Sequence, residues 1–82
     1  MVEAKKGTVV ISLAGHDKGD FQVVINCYDG YVEVCDGKYR PLERVKRKNL
    51  KHVKVTNNEI SEKNMLTNKL IRKSLKSFSK NI

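Results

Sequence analysis

Residues 9–25 read VVISLAGHDKGDFQVVI, two apolar runs around a polar insert. Val9 to Leu13 and Phe21 to Ile25 are short, rich in branched residues and bounded by glycine and aspartate, the pattern of strands rather than helices. A tight hairpin needs only two residues between its strands. Here the seven residues from Ala14 to Asp20 make the join. Gly15 and Gly19 permit backbone geometries and close approaches that side chains would block. Lys18 can reach an anion, and free backbone N–H groups can cradle one. Asp17 and Asp20 are expected to serve as turn residues. A nucleotide-binding P-loop is excluded, because no Lys-Ser or Lys-Thr follows the second glycine and a strand, not a helix, comes next.

The strand pattern continues outward from this stretch. Phe21–Tyr28 ends at Asp29-Gly30, a dipeptide suited to a two-residue turn, and Tyr31–Cys35 runs back. Asp36-Gly37 repeats the device, which predicts a fourth strand over Lys38–Leu42 with Pro41 at its end or edge. Residues 43–49 then read as a basic loop, and Leu50–Thr56 as a closing fifth strand. With the turn at Asp29-Gly30, Tyr28 faces Tyr31, Cys27 faces Val32 and Ile25 faces Val34. Side-chain alternation then puts Val23, Ile25, Cys27, Val32 and Val34 on the core side. Val24, Asn26, Tyr28, Tyr31, Glu33 and Cys35 share the other side, so the two cysteines point apart and should not bridge. Tyr39, opposite Val34, is expected in the core. Five short antiparallel strands with polar connections suggest a small barrel, since closure removes exposed sheet edges.

From Asn57 the period changes. Ile60, Leu66, Leu70, Ile71, Leu75 and Phe78 fall within about half of a helical wheel. Lys69, Arg72, Lys73, Lys76 and Lys80 fall on the other half. Thr67 is the expected N-cap of a helix over about 68–78, and Ser61 the cap of a shorter turn before it. The apolar face packs on the barrel, docks on a partner, or folds on binding. The division is therefore a barrel over 7–56 and a basic helical extension over 57–82.

With 82 residues the chain is one domain at most and has little room for a deep catalytic cleft. The net charge is +8, but its distribution says more: residues 1–35 sum to −2, residues 36–50 to +4 and residues 51–82 to +6. A positive excess gathered after the second cysteine favours a polyanion partner. No apolar run approaches the roughly 20 residues of a spanning helix. Lys5-Lys6 followed by Thr8–Ala14 imitates a signal peptide only faintly, since Gly15-His16-Asp17 cuts the run. Two cysteines without an export signal fit a reducing cytoplasm.

Two stretches carry a resemblance. From Gly7 through Val9-Val10 and Ser12 to Gly15, Lys18-Gly19 and the following strand, the chain resembles the KOW module of ribosomal proteins and transcription elongation factors. Lys46-Arg47-Lys48-Asn49-Leu50-Lys51-His52-Val53 is similar to the basic run before Asn-x-x-His in large-subunit ribosomal proteins of the fourteen-e type, and in small stand-alone bacterial KOW proteins. The resemblance spans Gly7 to Thr56. It implies an SH3-like fold for the five-stranded barrel, with a glycine loop between the first two strands that approaches RNA, and it implies ribosomal RNA of the large subunit as the partner.

The residues point the same way independently. Arg44, Lys46, Arg47, Lys48 and Lys51 form a dense set of phosphate partners, each neutralised phosphate releasing condensed counterions. Arginine adds a planar fork that clamps phosphate and stacks on bases. Asn49 either reads a base edge or caps a turn, and His52 either stacks on a base or sits partly buried. In the glycine loop, Gly15 and Gly19 shape the backbone, Lys18 reaches a phosphate, and His16 stacks or bonds to a ribose hydroxyl. Tyr28, Tyr31 and Tyr39 are candidates for base stacking, with Tyr39 expected in the core and cross-strand packing the commoner explanation for Tyr28 and Tyr31. Zinc is not expected: Cys27 and Cys35 lack Cys-x-x-Cys spacing, and His16 and His52 are unpaired in sequence. No orienting third group accompanies a Cys/His nucleophile. The expectation is a monomeric, non-enzymatic RNA-binding protein without a cofactor, with ribosomal protein contacts through the C-terminal helix. The alternatives are a KOW module that docks a transcription or translation factor, and a membrane-surface helix, disfavoured because Phe78 is the lone aromatic of its apolar face.

Overall fold

The computed structural model describes residues 4–79. Five strands form one antiparallel sheet: β1 (Thr8–Ser12), β2 (Phe21–Tyr28), β3 (Tyr31–Cys35), β4 (Lys46–Asn49) and β5 (Val53–Glu59), with a C-terminal helix α1 (Asn68–Ser79). Their order across the sheet is β4-β3-β2-β1-β5, so β4 and β5 are its edges. Single 3-10 turns lie at Leu42–Arg44, Leu50–His52 and Glu62–Met65.

The continuous branched run of β1 is explained by burial on both faces. Val9 and Val10 point to opposite sides, and neither has any exposed surface. On one side Val10, Val24, Val32, Val34 and Val53 form a cluster drawn from four of the strands. On the other, Val9, Val23 and Cys35 pack against Ile60, Met65, Ile71 and Leu75. Helix α1 thus covers the outer face of the sheet with its apolar stripe, which a chain this small needs in order to bury enough surface. Thr67 caps it as expected, its Oγ1 accepting from Leu70 N at 3.1 Å. Ser61 makes no side-chain cap bond to the turn it precedes, and Leu66 remains 73% exposed. Lys80 lies outside the described residues.

Two expectations about the sheet fail. The fourth strand is Lys46–Asn49 and not Lys38–Leu42, so the predicted basic loop is in part the strand; β5 correspondingly starts at Val53 and runs to Glu59. The register holds at Tyr28–Tyr31 and Cys27–Val32, but a bulge at Ile25 pairs Val24 with Val34 and Val23 with Cys35. One extra residue reverses the facing of everything behind it. Val24 therefore joins Val32 and Val34, and Val23 moves to the other face with Cys35. The cysteines keep opposite sides as predicted, but their burial is the reverse of that expected. Cys35 is buried because Ile60, Met65, Ile71 and Leu75 cover its face, and Cys27, near the end of β2, is exposed; both are free thiols. Tyr39, expected in the core, is 74% exposed.

Residues 36–45 are held by contacts that sequence separation hides. Asp36 Oδ1 accepts from Lys38 N and Arg40 N, both at 2.8 Å, while Arg40 O accepts from Asp36 N and Gly37 N. Leu42 N donates to Asn68 Oδ1 at 2.7 Å, and Asn68 Nδ2 donates to Glu43 Oε1 at 2.9 Å. Gly37, with φ +76°, lies against the first turn of α1, where an added Cβ would overlap Asn68 O and sit 3.1 Å from Arg72 N.

Gly37→Ala is expected to cost more than Gly30→Ala. Both glycines have positive φ, but the position at Gly30 is open, so only the backbone penalty of about 1 kcal/mol applies there. Urea melts should show a clearly lower midpoint for Gly37→Ala. Equal midpoints would mean that α1 does not seat on this turn.

Candidate functional site

Strand β4 places its residues alternately. Lys46 pairs with Val34 and Lys48 with Val32, both on the inner face, whereas Arg47, opposite Glu33, faces out. In a flat sheet β4 would lie about 14 Å from β1, three strands away. The sheet curls instead, and Lys48 Nζ donates to Ser12 Oγ at 2.8 Å, Ala14 O at 2.8 Å and Asp17 Oδ1 at 2.9 Å. Lys46 Nζ approaches the other carboxylate oxygen, Asp17 Oδ2, at 3.4 Å. Ser12 Oγ lies 2.8 Å from Asp17 Oδ1, and Gln22 Nε2 donates to Oδ2 at 2.8 Å. The oxygen of Gln22 has no hydrogen-bond partner. Turning the amide over would set that oxygen against the carboxylate, so the orientation is fixed by Asp17.

Lys48 is therefore a correction. Predicted as a phosphate contact, it is 6% exposed, and its three ammonium protons have acceptors inside the protein. Asp17 is likewise more than a turn residue. Burial pushes its carboxyl upward, but hydrogen bonds from Lys48, Ser12 and Gln22, with the Lys48 charge, outweigh that and hold it well below the usual carboxylate range.

This clamp brings the glycine loop beside β4. The 3-10 turn after β4 adjoins the loop as well, since Leu13 N donates to His52 O at 2.8 Å. Gly15 and Gly19 have φ +88° and +91°, as the loop was expected to need. The expected backbone cradle is reduced, because the N–H groups of Lys18, Gly19 and Asp20 bond to Gly15 O, Ser12 O and Asp17 O. What the loop presents to solvent is the side chains of His16, Lys18 and Asp20, all exposed. Lys51 and His52 are exposed beside its start, so His52 is not the partly buried histidine that was the other option. Asn49 caps its turn, its side chain accepting from Lys51 N at 2.9 Å. Arg44 stands apart from this group in the turn that bonds to Asn68.

Arg47 lies 3.9 Å from the centroid of the Tyr31 ring, which also stacks on Tyr28 at 4.7 Å and 15°. Tyr28 Oη lies 3.1 Å from Glu33 Oε1, a bond that pushes the phenol up. The cross-strand account of this tyrosine pair is correct, and Arg47 extends the stack. Cys35 is buried, and burial pushes its thiol up and away from the thiolate.

Sequence reasoning missed a depression of about 520 Å³ between the glycine loop and the 36–40 turn, lined by His16, Asp17, Asp20, Asp36, Tyr39, Arg40 and Lys46. The misplaced fourth strand concealed it, by assigning Tyr39 and Arg40 to a ladder. No family model matches the chain, and no curated protein does.

Removing Lys48 would leave a carboxylate in a site 15% exposed. Loss of one member of such a buried pair costs about 3–5 kcal/mol. Lys48→Met is expected to lower the urea midpoint sharply, with Asp17→Asn/Lys48→Met recovering part of the loss. An unfolded aspartate titrates near pH 3.9, and the folded group titrates lower. The stabilisation from Asp17 is therefore complete above about pH 5 and is lost as pH falls through the folded value. Asp17→Asn should flatten the acid limb of stability against pH; an unchanged limb would place the acid sensitivity elsewhere.

Proposed function

We propose that this chain is a KOW-type RNA-binding protein, an SH3-like barrel with a helical extension, whose target is ribosomal RNA of the large subunit. The observation that carries the proposal is the Lys48–Asp17 clamp, which holds the glycine loop, with His16 and Lys18 exposed, against β4, next to Lys46 and near the turn that bears Lys51 and His52. The clamp supports the family reading too, since it joins the two stretches on which the resemblance rests. A barrel is supported by the curl of the sheet and by one apolar cluster that takes residues from β1, β2, β3 and β5.

Binding is electrostatic docking on structured RNA, with no cofactor and no catalytic step. Lys18 and Lys51 supply point charges; Arg47 supplies a guanidinium plane already aligned by Tyr31. A protein-docking role for α1 has less to work with, because Ile71 and Leu75 are buried against the sheet. The helix keeps its basic side, with Lys69, Arg72 and Lys73 exposed. None of the helices is long and apolar enough among the described residues to cross a membrane.

Titration of large-subunit ribosomal RNA across a salt series tests the proposal. Lys51→Ala and Lys18→Ala should each weaken binding evenly across RNA sequences and reduce the log–log salt slope by about 0.7–0.9. Absence of binding by the wild type in dilute buffer would refute the proposal.

A further inference from the structure

We propose that Tyr39 is the landing place for one unpaired RNA nucleotide, with the base stacked on its ring and the phosphate held by Arg40 and Lys46. The inference rests on the RNA-binding reading and adds the feature of RNA that the protein selects.

The ring is 74% exposed, yet the turn that carries it is firmly held. Asp36 Oδ1 bonds to the backbone N–H groups on both sides of Tyr39, those of Lys38 and Arg40. Arg40 O closes the turn from the other direction, and Gly37 beneath it is fitted against α1. A large aromatic side chain is thus presented to solvent by a braced turn. It is flanked by cations: Lys38 Nζ lies 5.1 Å from the ring centroid, and Arg40 follows in sequence.

Tyr39 also stands between two depressions. The larger, about 520 Å³, brings the ring together with His16, Arg40 and Lys46, and has the size of a small-ligand site. The smaller, about 260 Å³, lies toward α1 and includes Lys38 and Arg72. A flat ring beside cations matches a nucleotide, which joins a flat base to an anionic phosphate. The acidic groups of the larger depression are accounted for in the same way. Asp17 is neutralised by the buried Lys48 at 2.9 Å, so Lys46, at a looser 3.4 Å and 27% exposed, can turn its ammonium to a phosphate; Asp36 has one oxygen committed to the turn. Asp20 remains, and a carboxylate there can accept from the exocyclic amine of a base. In a duplex the base faces are stacked on one another, so only an unpaired or bulged base can reach the ring.

The test compares two hairpin RNAs, one fully paired and one identical but for a single bulged adenosine, by fluorescence anisotropy at fixed salt. Wild type should bind the bulged hairpin more tightly. Tyr39→Ala should weaken that complex about tenfold, the scale of one base–aromatic stack, and leave the paired hairpin unaffected. Tyr39→Phe should retain the preference, because the ring and not the hydroxyl does the stacking. Equal wild-type affinity for the two hairpins, or a Tyr39→Ala variant that keeps the preference, overturns the proposal and leaves RNA binding standing. A wild type that binds neither hairpin in dilute buffer overturns both.

Discussion

An ammonium group taken out of water needs an acceptor for each proton, and Lys48 finds its three at the end of β1 and in the loop that follows: Ser12, the Ala14 carbonyl and Asp17. Those acceptors fix more than a charge. They set how far the sheet curls, because β4 must come within reach of a strand three places away in the sheet. They also set the shape of the glycine loop, since Asp17 points inward only if the backbone reverses at Gly15 and Gly19. A well-packed hydrophobic pair in the same place can be equally stable. It would not fix the loop's position, because apolar contacts carry no direction, whereas a carboxylate with four donors around it has one orientation.

The rest of the stability comes from burying both faces of a thin sheet. The inner face is closed by valines from four strands, but at the clamp end its surface is polar: Gln22 and Ser12 are fully enclosed there together with Lys48. The outer face depends on α1 and on the segment leading into it, Ile60 and Met65 included. The helix and the 36–45 segment support each other. Asn68 binds the backbone at Leu42 and the side chain of Glu43, while Gly37 admits the first turn of α1. Sheet and tail thus share one outer core, although the period of the sequence changes between them.

Elements with a strong local signal were legible in the sequence: the branched runs of β1 and β2, the Asp29-Gly30 turn, and a helix beginning after Thr67. What escaped did so for identifiable reasons. Strand β4 is Lys-Arg-Lys-Asn, and its inward positions are held by lysines, so no apolar alternation marks it. The bulge at Ile25 leaves no trace in residue type, yet it decides that Val24 and not Val23 joins Val32 and Val34; Cys35 is buried because the segment after β5 and α1 cover its face. The 36–40 turn imitates a hairpin, but its true partner, α1, lies about thirty residues onward and is invisible to local rules. For Lys48 a signal did exist. Ser12, Asp17 and Gln22 are polar residues within and between two buried strands, and such a group calls for a buried counter-charge.

A dense cationic run in sequence is therefore not the same quantity of charge at a surface. In Lys46-Arg47-Lys48 the strand's two-residue period turns the outer pair inward and the middle one outward. Lys48 is neutralised inside and Lys46 is partly shared with Asp17, so the run presents one full charge and part of another at the surface. The inward lysines act on the outside indirectly, by holding the loop whose Lys18 and His16 stay exposed. Counting basic residues overstates the number of phosphates that this edge can neutralise. It also conceals why the run and the glycine loop belong together: one supplies the buried cation, the other the buried anion, and their pairing seats the loop beside β4 while Arg47 faces the opposite way.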